Sequence, residues 1–153
     1  GGGELLQGLG CGVVLPATGY CAQAAGWESM PWPFLIPLFF FYLISAIATS
    51  LPDQSADSLA GKNTLAALLG TKKAALIAVL TGLAGVSFTA FILEETSPAV
   101  FWLALIAPAA LLVFCGALIP RLEFRRIYMT SFISGIILVG ICYILGFILA
   151  YIS

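Results

Sequence analysis

The amino-acid sequence predicts an all-α fold, a polytopic transmembrane helix bundle with about five spans in this chain. Three observations support this prediction. Hydrophobic residues make up 61% of the 153 residues, whereas a typical soluble domain is about 45–50% apolar. Charged residues make up 8% and fall between long apolar runs. The mean hydropathy is +1.11, which is typical of an integral membrane protein.

Five apolar segments each approach the roughly 20 residues that cross a hydrocarbon core. They cover residues 5–25, 32–51, 74–93, 99–119 and 127–152. The first contains Pro16, and a buried membrane helix tolerates such a break where its neighbours satisfy the backbone. Residues 57–71 are too polar to span, and 64–69 have one apolar face, which predicts either an amphipathic lid or an ordinary connecting helix. We treat residues 1–153 as a single membrane domain.

Small residues recur at spacings that let membrane helices approach closely. They are Gly8 and Gly12 in the first segment, Gly82 and Gly85 in the third, and Gly135 and Gly140 in the fifth. The pattern predicts helix packing and has no functional specificity.

The composition excludes several classes of function. The net charge of −1 provides no basic patch for nucleic acid. Histidine is absent, which removes imidazole metal ligands and histidine general bases. The four cysteines lie in apolar segments without the paired spacing of a zinc or redox site. A metal site in this chain therefore depends on carboxylates.

The basic residues predict the orientation in the membrane. All six fall in two loops, after the second and fourth segments: Lys62, Lys72, Lys73, Arg121, Arg125 and Arg126. The other two loops contain the acids Glu28, Glu94 and Glu95. The positive-inside rule therefore places both basic loops and the N-terminus in the cytoplasm and the C-terminus outside, in a cell inner membrane.

Two carboxylates follow the second segment, where charge is otherwise scarce. Asp53 and Asp57 are four residues apart, so on a helix they share one face and can face one Mg²⁺. Mg²⁺ is commonly held by one or two carboxylates together with substrate phosphates. Lys62 adds a compact cation that suits phosphate. The pattern favours a metal–diphosphate site at a membrane surface. Alternatively, the two aspartates are polar residues of a solvated loop between two membrane helices, the first of which ends at Pro52.

The residues around this pair resemble the second aspartate-rich motif of the UbiA-type membrane prenyltransferases. The matching residues are Asp53, Asp57, Gly61, Lys62, Thr64, Leu65, Gly70, Lys72 and Lys73. Residues 3–12, with Gly19, Tyr20 and Gln23, resemble the helix before this motif in the quinone-pathway branch. The similarity is closest to the 1,4-dihydroxy-2-naphthoate prenyltransferases, whose products are menaquinone-like or phylloquinone-like.

The resemblance implies Mg²⁺-dependent transfer of a prenyl group from an isoprenoid diphosphate to an aromatic acceptor. Asp53 and Asp57 would be the metal ligands and the catalytic residues. Lys62 would contact the diphosphate, and Lys72 or Lys73 would steer it. The lipid bilayer would surround the site and accept the apolar tail.

The sequence departs from the family pattern in three places. Thr49 and Ser50 replace the asparagines that often precede the first aspartate, and Asn63 replaces a second basic residue. An earlier family motif, Asn-x-x-x-Asp-x-x-x-Asp, has no counterpart before Asp53. We therefore expect this chain, which begins with three glycines, to be the C-terminal half of a prenyltransferase. That half would be inactive without the N-terminal half that holds the first motif.

Two other functions compete with this hypothesis. The chain is alternatively a degenerate, non-catalytic homologue that serves as a membrane interaction or transport protein. A CDP-alcohol phosphotransferase also uses membrane aspartates and Mg²⁺, but its motif has more acids and places its glycine and arginine differently.

The predicted orientation can be measured by cysteine labelling from each side of the membrane. Single cysteines within residues 62–72 and 121–126 should react with a membrane-impermeant reagent from the cytoplasmic side. Cysteines at positions 28, 94 and 95 should react from the opposite side. A basic loop that reacts only from outside would contradict the predicted topology.

Overall fold

A computed structural model describes residues 2–24, 26–28, 30–93 and 97–152, and within them the chain is helical and contains no strand. The helices are α1 (Gly2–Ala24), α2 (Trp32–Ser50), α3 (Gln54–Leu59), α4 (Leu65–Leu69), α5 (Thr71–Ile92), α6 (Pro98–Arg121) and α7 (Arg126–Ile152). Of these, α1, α2, α5, α6 and α7 are long and apolar enough to span a membrane. The predicted all-α bundle with five spans is confirmed.

Two of the spanning helices contain a wide turn immediately before a proline. In α1 the π turn Gly10–Val14 precedes Pro16, and in α6 the π turn Trp102–Ile106 precedes Pro108. Proline lacks an N–H, and its ring collides with the carbonyl four residues earlier in a regular helix. The π turn replaces the local bonding pattern, since the residue before each proline donates to the carbonyl five residues back. Both helices therefore continue past their prolines, as predicted for Pro16.

The buried core lies between α2, α5, α6 and α7, where α2 and α6 each pack against α5 and α7. Ile44 of α2, Leu112 of α6 and Phe132 of α7 are 0–1% exposed. The α5 side of the core consists mainly of small residues, among which Ala74, Ala75 and Ala78 are fully buried. Small side chains bring helix axes close together and give dispersion contacts, which stabilise helix pairs where lipid removes the hydrophobic driving force.

Five of the six predicted packing glycines lie at close helix contacts. A Cβ at Gly12 would stand 2.6 Å from Phe39 Cα, and one at Gly82 would stand 2.6 Å from a Leu112 methyl carbon. Gly8, Gly85 and Gly135 are also within 3.2 Å of a neighbouring side chain by this measure. For Gly140 the packing prediction is wrong, because its Cβ position meets no described heavy atom within 4 Å. Gly140 borders a cavity instead.

The two basic loops lie at the same end of the bundle. Lys72 Nζ at the start of α5 is 2.7 Å from Glu123 Oε2 in the loop between α6 and α7. The N-terminal end of α1 joins them, since the backbone N–H of Leu65 donates to Glu4 Oε1 at 2.6 Å. Glu28 lies between α1 and α2 at the other end. Glu94 and Glu95 lie outside the described residues, and the side of the membrane that each end faces stays a prediction.

The close contact at Gly12 predicts a large effect of a single methyl group. Gly12→Ala should lower the thermal unfolding temperature in detergent, because the added carbon meets backbone atoms of α2, and overpacking costs about 1–3 kcal/mol. Gly19→Ala is the matched control in the same helix, since its Cβ would meet no described atom within 4 Å. The control should be neutral or slightly stabilising, because alanine favours a helix by about 1 kcal/mol over glycine. Equal unfolding temperatures for the two variants would contradict the packing.

Candidate functional site

A polar cavity of about 510 Å³ lies at the end of the bundle that carries the basic loops. Three parts of the chain line it: the start of α1, the last turns of α2 and the segment that follows α2. The lining residues are Gly2, Gly3, Glu4, Gln7, Ala46, Thr49, Ser50, Asp53, Asp57, Lys62, Asn63 and Thr64. Asp53, Asp57 and Lys62, three of the predicted site residues, therefore face one space.

The geometry of α2 and α3 brings the two aspartates together. Pro52 follows the last turn of α2, and Asp53 is the N-cap of α3. The Asp57 N–H donates to the Asp53 carbonyl at 2.8 Å, so the two residues are one turn apart. The Asp53 side chain is exposed and makes no capping hydrogen bond, whereas Asp57 is 7% exposed. One carboxylate is thus open to solvent and the other is held by the protein.

The ammonium group of Lys62 pairs with the buried carboxylate of Asp57. Its Nζ lies 2.8 Å from Asp57 Oδ1, and its backbone N–H donates to the Asp57 carbonyl at 2.9 Å. Gly61 lets the chain turn back so that Lys62 reaches Asp57. Its φ is +68°, a backbone conformation that residues with a Cβ rarely adopt. The hydrogen bond from Lys62 to Asp57 and the negative charge of Asp57 raise the pKa of Lys62. Lys62 is therefore protonated at neutral pH and cancels the charge of Asp57.

A short helix covers part of this end and is tied to α1. Thr64 caps α4 by accepting a hydrogen bond from the Ala67 N–H at 3.2 Å. Glu4 accepts a hydrogen bond from the Leu65 N–H. Two of the N–H groups that have no partner within α4 are therefore satisfied by side chains. Ala66 is fully buried, and Gly70 ends the helix with a φ of +82°. These contacts fix α4 beside the cavity, where both its predicted roles, lid and connecting helix, remain open.

Lys72 and Lys73 are not among the residues that line the cavity. The Lys72 ammonium is paired with Glu123, and Lys73 is exposed. Six other polar residues of the cavity were not predicted from the sequence as site residues: Glu4, Gln7, Thr49, Ser50, Asn63 and Thr64. For Glu4 and Gln7 a signal was present, because they are spaced three apart in an otherwise apolar or small stretch and so share a helix face.

The fold and the cavity define a multi-pass integral membrane protein with a charged site at one end of its helices. The model of the UbiA prenyltransferase family matches residues 4–136, which is most of the chain, and the chain therefore belongs to that family. No curated protein and no solved structure matches it. Membership implies membrane prenyltransferase activity, with isoprenoid diphosphates and aromatic compounds as substrates.

The contact between Lys62 and Asp57 predicts a change in the titration of the lysine. In Asp57→Asn the pKa of Lys62 should fall towards the ordinary value of 10.5, because its main hydrogen-bond and charge partner is lost. Nuclear magnetic resonance of isotopically dimethylated lysines measures this titration. Asp53→Asn is the control and should move the pKa less, since the charge of Asp53 is the weakest of the contributions that raise it. A larger fall in the Asp53 variant would contradict the observed pairing.

Proposed function

We propose that this chain contributes the second diphosphate-binding motif of a Mg²⁺-dependent prenyltransferase in quinone biosynthesis. The observation that supports the proposal most directly is the convergence of Asp53, Asp57 and Lys62 on one polar cavity at the end of apolar helices. Two carboxylates provide the oxygen ligands that Mg²⁺ prefers, and a lysine provides a cation for phosphate. The membrane helices provide the apolar surroundings that a prenyl tail needs.

The residues present fit a magnesium ion that is shared with a substrate. Within the part of the chain that the structure describes, no three His, Cys, Asp or Glu side chains form a group that could hold a metal alone. Mg²⁺ rarely uses an all-protein cage and commonly takes one or two carboxylates, waters and substrate phosphates. Asp53 and Asp57 would supply the protein ligands, and the Mg²⁺ would supply charge neutralisation of the departing diphosphate.

Lys62 would exchange partners when the diphosphate binds. In the structure its ammonium is paired with Asp57 Oδ1, one of the two carboxylate oxygens that Asp57 could present to the ion. Lys62 is exposed on its other side, so its flexible side chain can turn towards a phosphate oxygen while Asp57 turns towards the metal. The internal ion pair would then be replaced by one contact between Lys62 and the phosphate and one between Asp57 and the metal, which limits the cost of separating Lys62 from Asp57.

The reaction transfers the allylic carbon from oxygen to the aromatic ring. The carbon–oxygen bond breaks and its electron pair leaves with the diphosphate, which Lys62 stabilises from the protein side. An electron-rich carbon of the acceptor would attack the allylic carbon, and the ring would regain aromaticity by losing the group on that carbon: a proton, to water or to the diphosphate, or carbon dioxide where that carbon bears a carboxylate. The resemblance of residues 3–23 to the quinone-pathway branch supports 1,4-dihydroxy-2-naphthoate as the acceptor.

Two aspartates are a small ligand set for a diphosphate with three negative charges, which supports a requirement for further acidic residues from an N-terminal half. We propose that catalysis requires that half and that the chain by itself gives no turnover. The distribution of basic residues supports a cytoplasmic position for the cavity, in a cell inner membrane. Lys72 and Lys73 would act at long range, by attracting anions towards this end of the bundle.

A non-catalytic homologue is the second candidate. The pairing of Lys62 with Asp57 favours it, because an ion pair of this kind stabilises the loop without any ligand. The two candidates differ in what a charge-removing substitution does to turnover.

In the complete enzyme, which includes the N-terminal half, Asp57→Asn should lower the rate of prenyl transfer by about a thousandfold. A lost metal contact in the transition state costs several kcal/mol. Asp53→Asn should be similarly slow, and higher Mg²⁺ should partly restore the weaker of the two variants. The measurement is single-turnover formation of prenylated product from radiolabelled prenyl diphosphate.

Glu28→Gln is the matched control, because it removes a carboxylate at the opposite end of the bundle. It should leave the rate near that of the wild type, and the membrane abundance of all three variants should be similar. Activity retained by Asp57→Asn at saturating Mg²⁺ would contradict the proposed site. A preference for 4-hydroxybenzoate over 1,4-dihydroxy-2-naphthoate would contradict the proposed acceptor alone.

A further inference from the structure

Three consecutive polar residues between α3 and α4 line the polar cavity and belong to no helix: Lys62, Asn63 and Thr64. We name them the cavity strip. Since no helix fixes the strip, its position depends on the bonds at its two ends. At the first end, the Lys62 N–H donates to the Asp57 carbonyl at 2.9 Å. Directly after the strip, the Leu65 N–H donates to Glu4 Oε1 at 2.6 Å. The strip is therefore held to α3 on one side and to α1 on the other.

Glu4 lies on a part of α1 that packs closely against α2. One turn further along α1, a Cβ at Gly8 would stand 3.1 Å from Leu43 Cβ, which leaves little room between the two helices. Glu4 itself is 6% exposed. The two packed helices form a rigid base, and the Glu4 side chain connects this base to a residue 61 positions later in the chain.

Glu4 lines the cavity together with Asp53 and Asp57, but its geometry suits a different role. Within the described part of the chain, these carboxylates do not form a group of three that could hold a metal ion. A carboxylate also repels a diphosphate, so Glu4 is unsuited to bind that part of the donor directly. Its Oε1 atom accepts from the Leu65 N–H, and a hydrogen bond to a carboxylate is about twice as strong as one between neutral groups. The contact with the backbone is thus the role that the geometry supports.

We propose that Glu4 is a positioning residue for Lys62 and acts by holding the backbone at Leu65, the residue that follows the cavity strip. The inference rests on the proposed function, in which Lys62 leaves Asp57 and contacts a phosphate oxygen. Because the strip is short and is held at both ends, a displacement at Leu65 also moves the Lys62 backbone. Glu4 itself touches neither the metal nor the diphosphate.

The flexibility of the Lys62 side chain makes the position of its backbone important. The ammonium lies at the end of a flexible four-carbon stem, which the pair with Asp57 Oδ1 at 2.8 Å restrains. Once that pair separates, the backbone alone limits where the ammonium goes. A backbone that is fixed at both ends of the strip keeps the ammonium at the cavity, which lowers the entropy cost of placing it against a phosphate. Loss of the bond to Glu4 should therefore weaken the contribution of Lys62.

Two substitutions of Glu4 separate its reach from its charge. Glu4→Asp keeps the charge but shortens the side chain by one carbon–carbon bond of about 1.5 Å, which takes the carboxylate out of hydrogen-bond range of the Leu65 N–H. Glu4→Gln removes the charge but keeps an amide oxygen with the same reach. In the enzyme that includes the N-terminal half, Glu4→Asp should lower kcat/KM for a prenyl diphosphate about tenfold, the usual scale for one hydrogen bond. Glu4→Gln should stay within about twofold of the wild type.

A double-mutant cycle distinguishes the positioning of Lys62 from a general effect on stability. Lys62→Met alone should lower kcat/KM. If Glu4 acts through Lys62, adding Glu4→Asp to Lys62→Met should lower kcat/KM no further, because the group that is positioned is already gone. A purely structural effect would instead multiply with that of Lys62→Met.

Thr89→Ala is the control for stability. Thr89 is 2% exposed and lies near the end of α5 that is far from Lys62. The substitution should lower the thermal unfolding temperature, because it leaves a buried space, and should leave kcat/KM near that of the wild type.

A second measurement does not depend on the folding of any variant. The Leu65 N–H lies in the first turn of α4, where no partner within the helix is available, so its protection from hydrogen exchange reports on the bond to Glu4. In the wild-type enzyme this amide should exchange slowly, both alone and with Mg²⁺ and a prenyl thiodiphosphate bound.

The outcomes separate this inference from the proposed function. Rapid exchange of the Leu65 amide, wild-type kcat/KM in Glu4→Asp, or multiplied effects in the double variant would overturn the positioning role and leave the proposed function intact. Wild-type kcat/KM in Lys62→Met would instead overturn the proposed contact between Lys62 and the diphosphate.

Discussion

A hydrocarbon core offers no hydrogen-bond partner to a peptide group, and this constraint determines where the chemistry of this protein can lie. Each spanning segment has to satisfy its own backbone as a helix, so irregular loops and charged side chains collect at the helix ends. The chain follows this rule even at Pro16 and Pro108, where the preceding π turns keep α1 and α6 helical. A site that needs two carboxylates and an ammonium is consequently confined to an end of the bundle.

The end of α2 shows how a membrane helix is converted into a site. Pro52 follows its last turn, Asp53 starts the short helix α3, and Gly61 returns the chain so that Lys62 reaches Asp57. On its membrane-embedded turns the same helix lines two cavities, of about 160 Å³ and 290 Å³, that are bordered mainly by apolar and aromatic side chains. One helix thus borders both a charged cavity and apolar cavities, as a donor with a diphosphate and a hydrocarbon tail would require.

The sequence predicts the parts of this structure that depend on local composition. The spans follow from the length of the apolar runs, and Asp53, Asp57 and Lys62 stand out because charge is scarce around them. Contacts between distant residues could not be predicted in this way. The bond from Leu65 to Glu4 joins residues far apart in the chain, and the pairing of Lys72 with Glu123 depends on how α5 and α6 pack. Gly140 resembles a packing glycine in sequence, and the three-dimensional arrangement alone places it beside a cavity.

Equilibrium binding of a non-reactive donor tests the central claim most directly. A prenyl thiodiphosphate should bind the enzyme that includes the N-terminal half, in lipid nanodiscs, with an affinity that increases strongly on adding Mg²⁺, because in the proposed site the metal would link the diphosphate to Asp53 and Asp57. The double variant Asp53→Asn and Asp57→Asn should lose this Mg²⁺ dependence while the lipid-soluble tail still partitions weakly. Wild-type binding that is equally tight without Mg²⁺, or a double variant that binds as the wild type does, would contradict the account.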